Sequence, residues 1–210
     1  MFEMRDAVGE LAGGISEAQG ARLREYAALV RELGKRWNLM SRSALGVVEE
    51  HMVDCSAALR LCGGRGLTVA DLGSGAGLPG IVLAILRPDW SVSLVDSRRS
   101  KVVFLREAIL RLGLTNASVV HNRIEALEGS GFDLATSRAL GPVMDTLEAG
   151  LRVVRSGGHL ILYKGPRWGD ERVQVAAVVA GAGGRIAAEK EVALPGLDRT
   201  TMLVSIERTG

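Results

Sequence analysis

Residues 69–80 read Val-Ala-Asp-Leu-Gly-Ser-Gly-Ala-Gly-Leu-Pro-Gly, and this stretch constrains the fold more than any other part of the chain. Val69, Ala70 and Leu72 suit a strand buried on both faces of a parallel sheet. The apolar run from Leu78 to Leu86, opened by Pro79 at a first-turn position, suits the helix that follows. A glycine-packed turn between such a strand and helix belongs at the carboxyl end of a central strand, where open α/β sheets hold their ligands.

The turn also satisfies the loose G-x-G-x-x-G dinucleotide pattern at Gly75, Gly77 and Gly80. A pyrophosphate, however, wants free backbone N–H groups and the positive end of a helix dipole. Pro79 removes one N–H, and Asp71 adds a negative charge beside the pocket. A cationic nucleoside without phosphates fits better: S-adenosyl-L-methionine, whose ammonium group Asp71 can attract directly or through water. Close-packed glycines let the backbone approach such a ligand without a Cβ clash. Residues 91–96, Ser-Val-Ser-Leu-Val-Asp, alternate into a second strand that ends on a carboxylate. That is roughly the ~20-residue separation at which these folds place an acid on ribose hydroxyls. Asp96 would accept from both hydroxyls; it can also cap a helix starting near Arg98.

The remaining chain alternates strands with helices or turns. Val102 to Leu112 has helical spacing and stops at Gly113. Ala117 to His121 is a third strand and Phe132 to Ser137 a fourth, after which Pro142 opens a helix to about Val154. Gly157-Gly158 turns the chain into a fifth strand, His159 to Tyr163, ended by Gly165 and Pro166. After a helix from about Asp170 to Val179, residues 185–193 and 200–208 form an antiparallel hairpin. A seven-stranded, mostly parallel α/β sheet ending in such a hairpin resembles the Class I Rossmann-like methyltransferases and differs from dehydrogenases, which bring a second catalytic domain. Upstream, Ile15 to Leu33 gives a helix with an apolar stripe, followed by Trp37-Asn38 and a helix from about Val47 to Leu61. We therefore expect an N-terminal helical extension over residues 1–65, packed on a cofactor-binding domain over residues 66–210. That extension reads either as a packing layer or as a substrate-recognition appendage.

With 210 residues, 47% of them hydrophobic, the chain can bury one α/β core and a short appendage. No apolar stretch reaches bilayer length and the N-terminus lacks the pattern of a secretory signal, so a soluble, cytoplasmic protein without a membrane partner is expected. Cys55 and Cys62 lie seven residues apart, as on one helix face, and read as buried small hydrophobes. His51, His121 and His159 are too scattered to suggest a metal site. A net charge of +2 does not establish a nucleic-acid partner, but its distribution says more. Arg98, Arg99, Lys101, Arg106 and Arg111 load one helix, as a solvated face or a phosphate contact. Arg123, Arg138, Lys164 and Arg167 fall at or beyond strand ends, on the cofactor's rim, where such groups neutralise phosphates.

These residues together resemble the bacterial small-subunit ribosomal RNA guanine-N7 methyltransferase family, also called glucose-inhibited division protein B. The resemblance covers nearly the whole chain. It is carried by residues 71–80, by Val95-Asp96-Ser97 followed by residues 101–105, by Arg123-Ile124-Glu125, by Ser137-Arg138-Ala139 and by Lys164-Gly165. Trp37-Asn38 and the His51-Met52-Val53-Asp54 segment resemble the family's entry helices. Two positions depart: Leu39-Met40-Ser41 replaces the family's Asn-Leu-Thr, and Ile124 stands where the family usually has alanine.

The resemblance implies methyl transfer from S-adenosyl-L-methionine to N7 of one guanosine in 16S rRNA, near the decoding region, by a monomer acting on the RNA or the 30S subunit without a metal. It assigns Gly73, Ser74, Gly75, Gly77 and Leu78 to the methionine end, Asp96 and Ser97 to the ribose, and Ile124 with Glu125 to the adenine edge. Arg123 and Arg138 would orient the target, with Arg138 also beside the cofactor. Arg138 is alternatively an ion-pair partner of Glu125 or Asp133. Arg123, Lys164 and Arg167 would meet RNA phosphate, Lys164 again with a structural alternative. Trp168 and Tyr163 could stack on an extruded base or belong to the core. Guanine N7 carries a lone pair and no proton, so alignment and water exclusion suffice. Consistently, neither an Asn/Asp-Pro-Pro-Tyr clamp nor a prolyl-cysteine nucleophile is present. The rival readings are a methyltransferase of another RNA, a small molecule or a protein, an NAD(P)-dependent oxidoreductase, and an idle cofactor-binding module.

Overall fold

The glycine motif begins at the centre of a seven-stranded sheet. In the computed structural model the strands are β1 (Thr68–Leu72), β2 (Ser91–Asp96), β3 (Ala117–His121), β4 (Phe132–Ser137), β5 (Val154–Lys164), β6 (Gly184–Ala193) and β7 (Thr200–Arg208). Their spatial order is β3-β2-β1-β4-β5-β7-β6, with β7 antiparallel to both its neighbours and the rest parallel. The structure describes residues 3–127, 131–138, 143–165 and 167–210, with side chains omitted over 143–146. Ala139, the helix-opening Pro142 and the strand-ending Pro166 lie outside the described residues.

The chain adds β2 and β3 on one side of β1, then returns to add β4 on the other. That reversal is the switch point at which open sheets form a crevice. Register makes the crevice level: Leu72 stands beside Val95 on β2 and Ser137 on β4, and Asp96 beside His121 on β3. Gly73, Asp96, Asn122 and Arg138 therefore arrive at one edge. Val69, Ala70 and Leu72 are fully buried, as a strand covered on both faces requires.

Helices α1 (Met4–Ala12), α2 (Glu17–Gly34), α3 (Arg42–Gly46) and α4 (Val48–Ser56) form the N-terminal segment; α5 (Gly80–Leu86), α6 (Arg99–Arg111), α7 (Val143–Val153) and α8 (Trp168–Gly181) follow the strands. Ser16 and Gln19 close a capping box on α2. The same Gln19 amide donates to the carbonyls of Ile85 and Leu86, and Asn116 donates to those of Ala84 and Arg87, so the short α5 ends fully satisfied. Leu23, Tyr26, Val30, Met52 and Val53 are fully buried in one core cluster with Ile81 of α5 and Leu94 of β2. Each large apolar side chain so placed contributes about 1.5–3 kcal/mol relative to exposure.

Two local expectations are corrected, and one helix is unforeseen. β5 runs straight through Gly157-Gly158 instead of starting after them. A Cβ on Gly158 would come within 3.0 Å of the Phe132 and Asp133 carbonyls, so this glycine permits close strand contact at a register shift, not a turn. The helix expected from 47 to 61 is α4 followed by a 3-10 turn, Ala57–Arg60, and Cys62 lies beyond it. Cys55 and Cys62 thus share no helix face, although both are buried free thiols. The third difference is α1, whose apolar stripe Met4, Ala7, Val8 and Leu11 is buried against the α4 region.

Candidate active site

Backbone hydrogen bonding shapes the glycine turn from below. Gly73 and Ser74 N–H both donate to the Val95 carbonyl at 2.9 Å, and Gly77 and Leu78 N–H donate to Ser74 O. Gly75 N–H reaches Asp96 Oδ2 at 2.9 Å and Gly80 N–H reaches Asp71 Oδ2 at 3.0 Å. Pro79 has no N–H to give. Two glycines are required by packing. At Gly77, φ is +89° and a Cβ would lie 2.5 Å from Ile81 Cδ1 and 2.9 Å from Tyr26 Oη. At Gly80, a Cβ would lie 2.3 Å from Leu94 Cδ2 and 2.6 Å from Asp71 Oδ2.

Asp71 is 1% exposed and sits beneath this turn. Its second oxygen accepts from Thr136 Oγ1 at 3.3 Å. Burial raises its carboxyl to about 6, despite hydrogen bonds from Ser74, Gly80 and Thr136 that lower it. The expected direct contact between Asp71 and a ligand ammonium is therefore corrected: its oxygens face the protein, and its charge acts on the crevice only through the turn. Gly77 likewise faces Ile81 and Tyr26 and does not line the cavity.

Above the turn lies a cavity of about 490 Å³. Its floor is Gly73, Ser74, Gly75, Ala76 and Leu78; β2 and the start of α6 supply Asp96, Ser97, Arg98 and Lys101. The far wall is Asn122, Arg123, Ile124 and Glu125, the last two in a 3-10 turn, Ile124–Ala126. Arg138 closes the β4 side, while Leu39 and Met40 of the N-terminal segment complete the rim. Asp96 holds the two nearest loops together, because its Oδ1 accepts from Arg98 N–H at 2.8 Å just ahead of α6. The expected N-cap role is corrected: α6 is preceded by Arg98, which has no side-chain cap bond, and Asp96 instead holds the Arg98 N–H from two residues upstream while lining the cavity. Each oxygen can accept further bonds.

The basic residues divide. Arg123 and Arg167 are exposed. Lys164 is corrected as a free phosphate ligand: its side chain is 8% exposed, it pairs with Glu171, and its ammonium lies 5.7 Å from the Trp168 ring. Trp168 donates to Glu189 at 2.7 Å and Tyr163 to the Cys55 carbonyl at 2.6 Å, which gives both aromatics the core role. Lys101 leaves the solvated face expected for its helix, since it is buried and donates to the Asn38 carbonyl. Burial lowers its ammonium pKa, with Asp96 opposing.

Arg138 forms an ion pair, but with neither expected partner. Its guanidinium lies 2.8 Å from Asp54 Oδ2 and 3.0 Å from His51 Nδ1, both on α4. Asp133 instead holds Arg155 and Thr68, whose backbone bond leads the effects that draw its carboxyl down to about 2. His51 and Asp54, which hold Arg138, and the wall residues Leu39 and Met40 are residues at the site to which sequence reasoning assigns no role. The i, i+3 spacing of His51 and Asp54 amid Met52, Val53 and Cys55 was the available signal for the first pair. Among the described residues, no three His, Cys, Asp or Glu side chains converge as a metal site, and no helix is long and apolar enough to cross a membrane.

The chain is similar in sequence and fold to known proteins. The family described as rRNA small subunit methyltransferase G matches residues 19–188. The ribosomal RNA small subunit methyltransferase G of Laribacter hongkongensis is 33% identical over 206 residues, covering 97% of this chain and 96% of its own. That of Xanthomonas oryzae pv. oryzae is 37% identical over 202 residues, covering 95% and 92%. Among solved structures, a SAM dependent methyltransferase from Aquifex aeolicus superposes with a TM-score of 0.60 at 22% identity, covering 82% of this chain and 96% of that one. A 16S rRNA (adenine(1408)-N(1))-methyltransferase from Catenulisporales acidiphilia does so with a TM-score of 0.57 at 18% identity, covering 70% and 86%. The two structures show a common fold, and the sequence matches decide the lineage: this chain belongs to the rRNA small subunit methyltransferase G family.

Proposed function

We propose that this protein transfers the methyl group of S-adenosyl-L-methionine to N7 of a guanosine in the 16S rRNA of the small ribosomal subunit, near the decoding region, acting as a cytoplasmic monomer. The observation that carries the cofactor assignment is how the glycine turn uses its amides. The amides of Gly73, Ser74, Gly75, Gly77, Leu78 and Gly80 are all given to protein acceptors, and the Asp71 carboxylate occupies the start of α5. A pyrophosphate would find those donors spent and a buried acid beneath it. A cation would find a favourable field. The cavity therefore fits a phosphate-free, positively charged nucleoside, and family membership supports the same choice.

In this reading the carboxylate of Asp96 accepts from the ribose, Ser97 flanks it, and Ile124 with Glu125 covers the adenine edge. Gly73, Ser74, Gly75 and Leu78 surround the methionine end. When bound, the cofactor supplies an electrophilic methyl group. The protein needs no general base for an N7 acceptor and contributes alignment and exclusion of water. Arg138, at the β4 side of the turn, would donate to guanine O6 or to a phosphate and so orient the base. Arg123 and Arg167 would neutralise RNA phosphates.

The deciding experiment is labelled methyl transfer to 30S particles lacking this modification, with the product nucleoside identified by mass spectrometry. We expect 7-methylguanosine from the wild type. Asp96→Ala should weaken S-adenosylhomocysteine binding by about tenfold or more, the loss of a charge-assisted hydrogen bond, whereas Arg138→Ala should lower the single-turnover rate more than RNA affinity. Binding of NAD(H) with no response to S-adenosylhomocysteine, or methylation of another base, would refute the reading.

A further inference from the structure

Behind the cavity wall, Arg138 is tied to two residues of α4 that the family assignment leaves without a role. Arg138 follows the carboxyl end of β4, and Ser137 stands beside Leu72, whose next residue opens the glycine turn. Arg138 is therefore placed across from the methionine end of the cavity, not the ribose end. It is 20% exposed, and its Nε and one terminal nitrogen are drawn into α4: Nε donates to Asp54 Oδ2 at 3.1 Å, while Nη2 approaches the same oxygen and His51 Nδ1. With Arg138 as the donor, Nδ1 is the acceptor, so the imidazole is neutral and carries its proton on Nε2.

We infer that Asp54 and His51 are positioning residues for methyl transfer: together they fix the Arg138 guanidinium beside the reacting atoms and cancel its charge there. The inference rests on the function proposed above. Its chemical reason lies in the electron count of the reaction. The N7 lone pair forms the new bond to the methyl carbon while the sulfur keeps the pair of the bond that breaks, so one positive charge passes from sulfur to the purine. An uncompensated guanidinium beside that purine would repel the charge arriving on it. Paired with Asp54, Arg138 keeps its hydrogen-bonding geometry with little net charge. His51 adds a second acceptor that fixes the plane of the guanidinium without adding a charge. Thus α4, although outside the sheet, completes the site.

The electrostatics around His51 agree. Burial lowers its pKa, and Arg138 and Arg199 lower it further, while Asp54 and Glu50 oppose them. Arg199 pairs with Glu50 at 3.5 Å and faces this helix from the turn between β6 and β7. Protonation of Nδ1 would remove the acceptor and push Arg138 away.

The test uses full-length His51→Ala, His51→Asn and Asp54→Asn. Each is measured for S-adenosylhomocysteine affinity by calorimetry and for single-turnover methylation of undermethylated 30S subunits between pH 5 and 8, endpoints set about the ordinary histidine range. We expect His51→Ala and Asp54→Asn to lose about a hundredfold in single-turnover rate with cofactor affinity close to wild type, the effect of a misplaced group on a step that depends on alignment. His51→Asn keeps an oxygen acceptor near the Nδ1 position and should recover most of the rate. The wild-type rate should fall at pH values below the ordinary histidine range, and that limb should be missing in His51→Asn; Asp71 titrates in both proteins and cancels in the difference.

Retention of the wild-type rate by folded His51→Ala would overturn the inference, as would no recovery in His51→Asn. Cofactor binding lost in parallel with rate in both His51→Ala and Asp54→Asn would show a merely structural role. Should Asp54→Asn fail to fold, the two His51 variants decide the matter, since they remove no charge at neutral pH. A wild type that binds no S-adenosylhomocysteine would instead overturn the cofactor reading, and this inference with it.

Discussion

At the scale of single residues, Asp71 ties the glycine turn to the sheet. Its carboxylate accepts from Gly80 N–H and Thr136 Oγ1 in a sealed site, and burial still raises its pKa to about 6. The sign follows from proton uptake. The folded form holds this proton at pH values where the unfolded chain, titrating near 3.8, has lost it. Stability from this group is therefore complete below the unfolded value and falls as pH rises through about 6, by about 3 kcal/mol at most. Asp71→Asn can keep both bonds, with its oxygen on Gly80 N–H and its amide on Thr136. Urea unfolding should show wild-type stability falling relative to Asp71→Asn between about pH 3 and about pH 7, limits chosen to bracket the two titrations. The same substitution removes a negative charge from beneath the crevice, so it should weaken S-adenosylmethionine binding more than binding of the uncharged sulfide analogue. A pH-independent stability difference would show that Asp71 titrates normally.

Among the elements, α8 separates two lysine and arginine roles that look alike in sequence. Lys164 ends β5 and is held against α8 by Glu171 and Trp168, whereas Arg167 precedes the helix and is exposed. A phosphate contact contributes about 0.7–0.9 to the slope of log affinity against log salt. Arg167→Ala, and equally Arg123→Ala, should lower that slope for 16S rRNA fragments by about one contact, while Lys164→Met should leave it unchanged; a reduced slope in Lys164→Met would restore Lys164 to the RNA surface. The same contrast marks what the sequence made legible. Strands at 91–96, 117–121 and 132–137 match the expected bounds to the residue, because alternating or double-faced burial between turn residues leaves little choice. Gly157-Gly158 misled because a glycine pair signals a turn equally well when its purpose is close packing between strands. The carboxyl-edge cavity followed from the glycine motif and Asp96. The Arg138–Asp54 pair did not, since its members lie 84 residues apart and only the tertiary fold selects Asp54 over Glu125 or Asp133.

For the whole molecule, the question is whether the N-terminal helices are an appendage or part of the machine. Their contacts argue for the second. Tyr26 donates to the Ala76 carbonyl inside the glycine turn at 2.6 Å, and burial raises its phenol pKa, so it remains a donor. Gln19 caps the end of α5, Lys101 reaches back to Asn38, and Asp54 holds Arg138. Leu23, Val30, Met52 and Val53 cover the sheet layer with no exposed surface of their own. A chain starting at residue 66 would expose that apolar face and lose the hydroxyl that braces the turn. It should show no cooperative thermal transition and no cofactor binding. The milder Tyr26→Phe removes only one buried hydrogen bond and leaves the Ala76 carbonyl without its partner, which should cost about 1–3 kcal/mol in stability. Because Ala76 lines the cavity floor, the loss should also appear as weaker S-adenosylhomocysteine binding. Calorimetry on the two proteins distinguishes the views: a truncated chain that unfolds cooperatively and binds cofactor like the intact protein would make the helices an appendage after all.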